Sequence, residues 1–393
     1  MLVGNVDVVV VGGGFAGLAC AHVAALRGLK TVVLERKDEP GAGVHTTGLL
    51  VKEVADEWDV PRSLTKKIRG VRLYAPSLQS VDLCSPGYYF LATDTPGLLR
   101  WWAQYAQQAG VELRCRSIYQ GVQRQGSHFV MSHEGLRSRF LVGADGARSR
   151  VAEEFNLGRN RRFLIGVEAE YEGVRDLDPD RLHVFLDSEL APGYIAWVVP
   201  GFGITQIGLA GLTSNPARLE RFIQKLKALF NFDHAREVGR RGGLIPIGGP
   251  VRPLGTEHVA LVGDAAGLVS PLTAGGIHTA VHYGRAAGLA IHDYLDGGLE
   301  QPHHALRRSI PSFFWKQFLR IGLDLRPSNR LYDWLLGSRT LQSLAQAVFF
   351  HHRGVFSLQA WRDLIRHGNR PFEDSIAEPE HAHSSASGTG GTG

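Results

Sequence analysis

The first 35 residues carry a clear pattern. Val6 and Val8 to Val11 form a short apolar run, a glycine cluster follows, then a run of small and apolar residues, and then a second apolar segment, Thr31 to Leu34, that ends on Glu35. Short apolar runs bounded by glycine read as strands buried on both faces, and the longer run between them reads as a helix. The stretch therefore predicts a βαβ unit. After an irregular Gly/Pro-rich loop, Lys37 to Leu50, a helix is expected around Lys52 to Trp58. The segments GVRLYAP, SVDLC and YYFLAT between Gly70 and Thr93 read as strands separated by Pro, Ser and Gly turns. A helix is expected from about Thr95 to Gln108, closed by Gly110, and strands return over Glu112 to Val122, His128 to Ser132 and Arg137 to Val142.

A second pattern begins at Phe163. Phe163, Ile165, Val167, Ala169 and Tyr171 alternate, which predicts a strand that buries this face. RLHVFLD, YIAWVVP and ITQIGLAG continue the sheet, and a helix over Pro216 to Phe230 is expected to lie across it. This reads as a second, mostly antiparallel domain with one face available to line a cavity. The strand His258 to Val262 and a long helix from about Gly275 then return to the first domain. Beyond Gly298 the period is helical: Phe314, Phe318, Ile321 and Leu325 share one face, followed by Leu331, Trp334 and Leu335 and by Leu341 to Phe350. Such a stripe reads as core, with an apolar surface resting on anionic lipid headgroups as the alternative. From about Ala377 the tail, which contains His381 and His383, has almost nothing to bury and is expected to be disordered.

Three clusters carry candidate chemistry. Gly12, Gly14 and Gly17 have the spacing GxGxxG. The first glycine permits a sharp bend, the second removes a side chain from a ligand's path, and the third lets helix and strand pack closely. A pyrophosphate would then sit on a helix N-terminus, and Glu35, 18 residues beyond Gly17, stands where a carboxylate meets a ribose hydroxyl. Together these features read as an adenine dinucleotide site that includes Arg36, with an ordinary βαβ turn as the plain alternative. In LVGADGARSRV, Asp145 and Gly146 occupy a strand-to-helix turn. In GDAAG, Gly263 and Asp264 end a strand ahead of the helix opened by Gly275 and Gly276. Taken singly, the former is a common turn and the latter could be a helix-capping aspartate. His45, Thr46, Thr47 and Gly48 form the polar centre of the 37–50 loop, which either faces a cofactor or is simply solvated.

Composition narrows the classes. The 393 residues are enough for two or three domains. Cys20, Cys84 and Cys115 are scattered, which suggests neither a disulfide framework nor a structural zinc site and fits a reducing, cytoplasmic compartment. The first strand starts within a few residues of Met1, so no signal peptide is expected, and no apolar run approaches the roughly 20 residues of a bilayer span. The formal charge is +5, but residues 301 to 372 hold eleven Lys/Arg against three acids. That charge lies among aromatic helical stripes without a nucleic-acid motif, so no nucleic-acid partner is expected, whereas peripheral membrane contact is compatible with it.

The ordered triple of GxGxxG with Glu35, the Ala144–Asp145–Gly146 turn and Gly263 to Gly267 resembles flavin enzymes similar to p-hydroxybenzoate hydroxylase, over roughly residues 4 to 300. The resemblance implies that Gly12, Gly14, Gly17 and Glu35 hold the ADP half of FAD and that Asp264 takes the ribityl and pyrophosphate region. It also implies that Asp145 and Gly146 support the flavin and transient nicotinamide. Within that superfamily the chain is most similar to geranylgeranyl reductases. GDAAGLVSPLTAGGI followed by YGRAA resembles their corresponding segment, GGLIPIGGP matches another, and PGYIAWVVP resembles their PxxYxWxFP cavity motif through Tyr194, Trp197 and Pro200. Three features depart from the pattern. Val44 to Leu49 reads VHTTGL where the reductases read roughly VCGGGL, so His45 stands for a cysteine. Asp94 is followed by Thr95 instead of arginine. Tyr194 and Trp197, three apart on an expected strand, would point to opposite faces. The halogenase pattern FxxPxxSxG is represented here by Leu268, Pro271, Ala274 and Gly276.

The expected architecture is α/β (α+β). A Rossmann-like FAD-binding domain (1–70, 95–160, 245–300) is interrupted by a mostly antiparallel substrate domain (71–94, 161–244) and followed by a helical basic region (301–376) and the tail (377–393). The resemblance implies an FAD-dependent reductase of carbon–carbon double bonds in a hydrophobic, isoprenoid or lipid-like substrate, with NAD(P)H or another reductant as electron donor. His45 or Tyr194 is the expected acid, and Trp197 lines the cavity. An FAD monooxygenase acting on a lipophilic substrate is the alternative, halogenation a third reading, and a redox-neutral flavoprotein the reading from another class.

Overall fold

The structure is a computed structural model that describes residues 4–131, 133–214 and 217–350. The expected strand end at Ser132, the helix start at Pro216, the last part of the basic region and the tail lie outside these residues.

Five strands, four of them apolar, build a parallel sheet. Its central order is Val259–Leu261, Leu136–Gly143, Gly4–Val11, Thr31–Leu34 and Glu112–Arg114, with Gly255–Thr256 added antiparallel at one edge. Val8 to Val10, Val32 to Leu34 and Leu141 to Val142 are fully buried because helices cover one face, while the strand His128–Met131, the short helix Arg150–Glu154 and connecting loops cover the other. Phe15–Leu26 and Ile277–Leu295 pack together on one face, where Gly284 and Gly288 leave no room for a Cβ against the backbone of Ala16 and Cys20. Only glycine permits so close an approach of two helices here.

The second sheet has seven strands in the order Arg236–Pro246, Phe163–Glu172, Thr205–Leu212, Ala196–Pro200, Arg181–Phe185, Gly70–Tyr74, Ser80–Cys84. All its pairs are antiparallel except Arg181–Phe185 with Gly70–Tyr74. Phe90–Thr93, grouped by its pattern with this sheet, instead pairs with Leu49–Val51 and Thr65–Ile68 in a separate three-stranded sheet. The helix expected over Pro216 to Phe230 is shorter, Leu219–Leu226, and its apolar side packs on Ala169, Ile207 and Leu209.

Two periodicity readings are corrected. In Phe163–Glu172 the most deeply buried positions include Leu164, Gly166 and Glu168, the face opposite the one expected; of the alternating set only Ala169 is fully buried. Both faces of this strand are covered, one by Leu219–Leu226 and the other by loops of the first domain, so alternation does not report burial here. In the basic region, Phe314, Phe318, Ile321 and Leu325 are 62%, 57%, 53% and 78% exposed, and so do not form core. The helix Phe314–Asp324 docks through its other side, where Arg320 is fully buried, donating to Gly193 O and Asp324 Oδ1 and lying 5.9 Å from the centre of the Tyr194 ring. No helix among the described residues is long and apolar enough to cross a membrane.

Candidate functional site

Strand register brings the three glycine motifs to one edge. Val11 pairs with both Leu34 and Gly143, and Gly143 pairs with Leu261, so the chain leaves four neighbouring parallel strands at the same level. Gly12, Glu35, Ala144–Gly146 and Gly263 follow directly. Ligands of open parallel sheets bind in the crevice outside these carboxyl ends.

The three GxGxxG glycines play distinct roles. At Gly12 (φ +108°) a Cβ would collide with the Ala144 carbonyl oxygen, and at Gly17 with the Gly12 carbonyl oxygen, so both are required by the protein's own backbone. At Gly14 a Cβ would meet nothing within 4 Å. Gly14 also N-caps Phe15–Leu26 without a capping side chain, which leaves the first helical N–H groups aimed into that open space. Glu35 is buried: its Oε2 accepts from Gly13 N at 2.7 Å and its Oε1 from Lys37 N at 2.9 Å, while Arg36 is exposed. The carboxylate therefore already braces the glycine turn beside the place expected for a ribose.

Asp145 is divided between structure and site. Its Oδ2 accepts from Arg150 N (2.7 Å) and Val151 N (3.1 Å), and so caps the short helix Arg150–Glu154. Its Oδ1 is buried without a partner, and burial raises its pKa. Gly146 (φ +85°) has open space where a Cβ would be. Asp264 caps no helix, since Gly276 N-caps Ile277–Leu295 with no side-chain bond. Instead its Oδ1 lies 3.5 Å from where a Gly276 Cβ would be, and burial pushes its pKa up to about 6. Asn160, which no sequence signal marked, ties the two motifs together. Its Nδ2 donates to Ala147 O (3.1 Å) and Asp264 O (2.8 Å), while its Oδ1 is buried without a partner. A groove with bare helical N–H groups, a glycine that leaves room, and orphaned acceptors at Asp145 and Asn160 fits a ligand that carries a pyrophosphate, several hydroxyls and ring N–H donors, as FAD does.

The second sheet supplies the facing wall. Trp197, Gly208, Glu168 and Arg241 are register partners across four adjacent strands. The indole lies over Gly208, where a Cβ would come within 2.6 Å of the ring, and its Nε1 donates to Glu168 Oε2 at 2.8 Å. Arg241 pairs with Glu168 and also with Glu170 (2.7 Å). Thr47 Oγ1 donates to Glu168 Oε2 at 2.6 Å, and Gln206 Nε2 donates to Thr47 O at 3.0 Å, so the 45–48 loop is bound to the sheet by buried polar groups. Behind the loop, Gly48 (φ +72°) sits against the Thr93 and Thr95 hydroxyls, which bond each other at 2.9 Å. Thr95, the residue at the departure from the reductase pattern, is thus part of the loop's support.

His45 Nδ1 lies 2.8 Å from Gly242 O, an acceptor only, so Nδ1 carries the proton and Nε2 is left as the free nitrogen. Burial, reinforced by Lys37, lowers the pKa of His45 and keeps the ring neutral near pH 7. Tyr194 precedes the strand that begins at Ala196, so the opposite-face expectation does not apply to it. Its ring joins Leu164, Ala210 and Ile247, and Trp197, Ile245 and Ala274 pack against the same cluster. The Tyr194 hydroxyl donates to Thr273 O, and burial raises its pKa, so it stays a neutral phenol. This apolar cluster joins the loop after GDAAG to the second sheet.

A family model described as FAD dependent oxidoreductase matches residues 7–94. Digeranylgeranylglycerophospholipid reductase 2 of Methanopyrus kandleri is 33% identical over 312 residues, which cover 72% of this chain and 76% of that protein. The crystal structure of a geranylgeranyl bacteriochlorophyll reductase-like protein from Thermoplasma acidophilum matches with a TM-score of 0.77 at 22% identity, over 92% of this chain and 99% of that one. A flavin-dependent brominase matches at a TM-score of 0.65 and 17% identity, over 93% and 99% of the two chains. The two solved structures share the fold.

Proposed function

Because the chain belongs to the digeranylgeranylglycerophospholipid reductase family of FAD-dependent oxidoreductases, we propose that it saturates carbon–carbon double bonds of an isoprenoid lipid. The observation that carries this reading is the wall opposite the three motifs. There the partly exposed Ile195, Trp197, Ile245 and Ala274 pack on a buried apolar cluster of Leu164, Tyr194, Ala210 and Ile247, while the neighbouring charges are engaged, Glu168 with Arg241 and Arg320 with Asp324. An apolar chain laid against that partly exposed layer would meet hydrocarbon and aromatic surface and exclude water.

FAD, when bound and reduced by an external donor, supplies the hydride. The residues of this chain do the rest. Gly14 and the N-terminus of Phe15–Leu26 take the pyrophosphate, and Glu35, Asp145, Gly146, Gly263, Asp264, Gly275 and Gly276 surround the remaining polar groups, with Arg36 at the exposed rim. Trp197 and Tyr194 shape the apolar wall. In its protonated form His45 donates the proton that goes to the second carbon. Its Nδ1–H stays on Gly242 O, so the donated proton must come from Nε2 of the imidazolium. Because the His45 pKa lies below the usual histidine value, turnover limited by this proton falls as pH rises through that pKa. His45→Asn would remove that limb of the pH profile.

The deciding experiment incubates the FAD-loaded enzyme and a reductant with a polyprenyl glycerolipid, anaerobically and in air, and weighs the product. Gain of two hydrogens per double bond supports the proposal; gain of one oxygen in air identifies a monooxygenase and overturns it. The cationic, aromatic outer surface of residues 314–334 suits a peripheral position on the lipid bilayer that holds such a substrate.

A further inference from the structure

We propose that Glu57, His278 and His282 form a divalent-cation site of zinc type. His278 and His282 are four apart on Ile277–Leu295, which places both rings on one helix face, stacked with centroids 5.9 Å apart. Glu57 arrives from the end of Lys52–Glu57. One ligand atom from each residue falls within 4.8 Å of the other two.

The spacing fits coordination. Two donors bound to one metal at about 2.0–2.1 Å in tetrahedral geometry stand about 3.3 Å apart. His278 Nε2 and Glu57 Oε1 are 3.3 Å apart, and His282 Nδ1 and Glu57 Oε2 are 3.6 Å apart. The first of these pairs is a hydrogen bond, so a cation would replace the proton that the two groups share. Two imidazoles and a carboxylate suit zinc, cobalt or nickel, and the half-exposed His282 leaves a fourth position for water. A cation here would sit near the N-terminal turn of the long helix, an unfavourable place that the ligating carboxylate offsets.

The site joins two walls of the flavin groove. Lys52–Glu57 directly follows the strand that leaves the His45–Gly48 loop, and His278 lies in the first turn after Gly276. Ligation would clamp that loop's continuation to the helix N-terminus.

The test titrates the FAD-loaded, full-length enzyme with Zn2+ by calorimetry and with Co2+ by visible absorption, alongside His282→Ala and Glu57→Gln. One ion per chain, a tetrahedral Co2+ band and a melting temperature raised by roughly 3 °C at saturating Zn2+ are expected of the wild type. Each variant is expected to bind at least about tenfold more weakly and to lose the band. Absence of uptake by the wild type overturns the proposal. So does uptake that persists in both folded variants with unchanged affinity, because it would belong to other histidines.

Discussion

Trp197 donates its indole N–H to Glu168 across Gly208, so an aromatic wall on one strand is held flat by a carboxylate two strands away. Glu168 also accepts from Thr47 and pairs with Arg241. A buried carboxylate with three donors is well compensated, and removing it strands the donors. Glu168→Ala is therefore expected to cost about 2–4 kcal/mol, less than loss of an isolated buried pair because Glu170 still faces Arg241. Trp197→Phe, which removes the N–H and part of the ring but leaves Thr47 and Arg241 on Glu168, should cost less, about 1–2 kcal/mol. Chemical denaturation of the two variants measures the difference; equal costs would mean that Glu168 does not hold the loop and the indole together.

Gly208 is the matching half of that relationship. A methyl group there would come within 2.6 Å of the indole in a packed sheet, so Gly208→Ala must tilt Trp197 off the strand or strain it. The expected cost is about 1–3 kcal/mol, accompanied by a shift in tryptophan fluorescence and a larger loss of turnover on long prenyl chains than on short ones. Retention of the wild-type spectrum and chain-length preference would show that the indole is free to move.

The glycines of the first turn separate folding from binding. Gly12→Ala meets the Ala144 carbonyl at a positive φ, and should destabilise the flavin-free protein by about 2 kcal/mol or more. Gly14→Ala meets no protein atom, so it should melt like the wild type without flavin yet bind FAD at least about tenfold more weakly, read by flavin absorbance after gel filtration. If Gly14→Ala bound FAD normally, the open space at that position would not be the ligand's path.

These variants mark what was legible in the chain. The glycine turns and the parallel strands were readable because their causes are local: a steric demand within three residues, or an apolar run of strand length. Glu168 was not, because a carboxylate between apolar residues reads as the exposed face, while its partners Thr47, Trp197 and Arg241 lie 121, 29 and 73 residues away. The nearest available signal was the pair of glycines, Gly166 and Gly208, that make room for bulky neighbours. Asn160 carried no signal, since its role depends on two loops that meet only after folding. The 314–325 stripe is one helix face, as its period says, but not core, because periodicity reports that a face exists and not what covers it.

Asp264 gives a pH prediction with a definite sign. Its folded pKa is raised from 3.8 to about 6, so between these values the native state binds a proton that the unfolded chain has released. Stability of the flavin-free protein attributable to this group is therefore greatest below about pH 4 and is lost as pH rises through about 6. Asp264→Asn should remove that slope and stabilise the flavin-free protein at pH 7.5 by about 2 kcal/mol, while weakening FAD binding. Thermal melts at pH 5 and pH 7.5 test it; parallel shifts of wild type and variant between the two pH values would place the charge penalty elsewhere.

Phe318 and Trp334, 57% and 72% exposed, belong to an apolar surface with Lys316, Arg326 and Arg330 on the same helices or the turn between them. Full burial of such a side chain in an apolar phase is favourable by about 1.5–3 kcal/mol, or roughly tenfold or more in partitioning, and nearby cations add a salt-sensitive attraction to anionic headgroups. Neither side chain contributes to the buried clusters, so Phe318→Ser with Trp334→Ser should leave melting nearly unchanged. The wild type is expected to float with vesicles containing phosphatidylserine and less with neutral ones, and the double variant to remain largely unbound. High salt should reduce the wild-type binding without abolishing it, because the aromatic contribution is not screened. Flotation of the double variant at the wild-type level would assign any bilayer contact to another surface, and failure of the wild type to float would remove the bilayer from the proposed function.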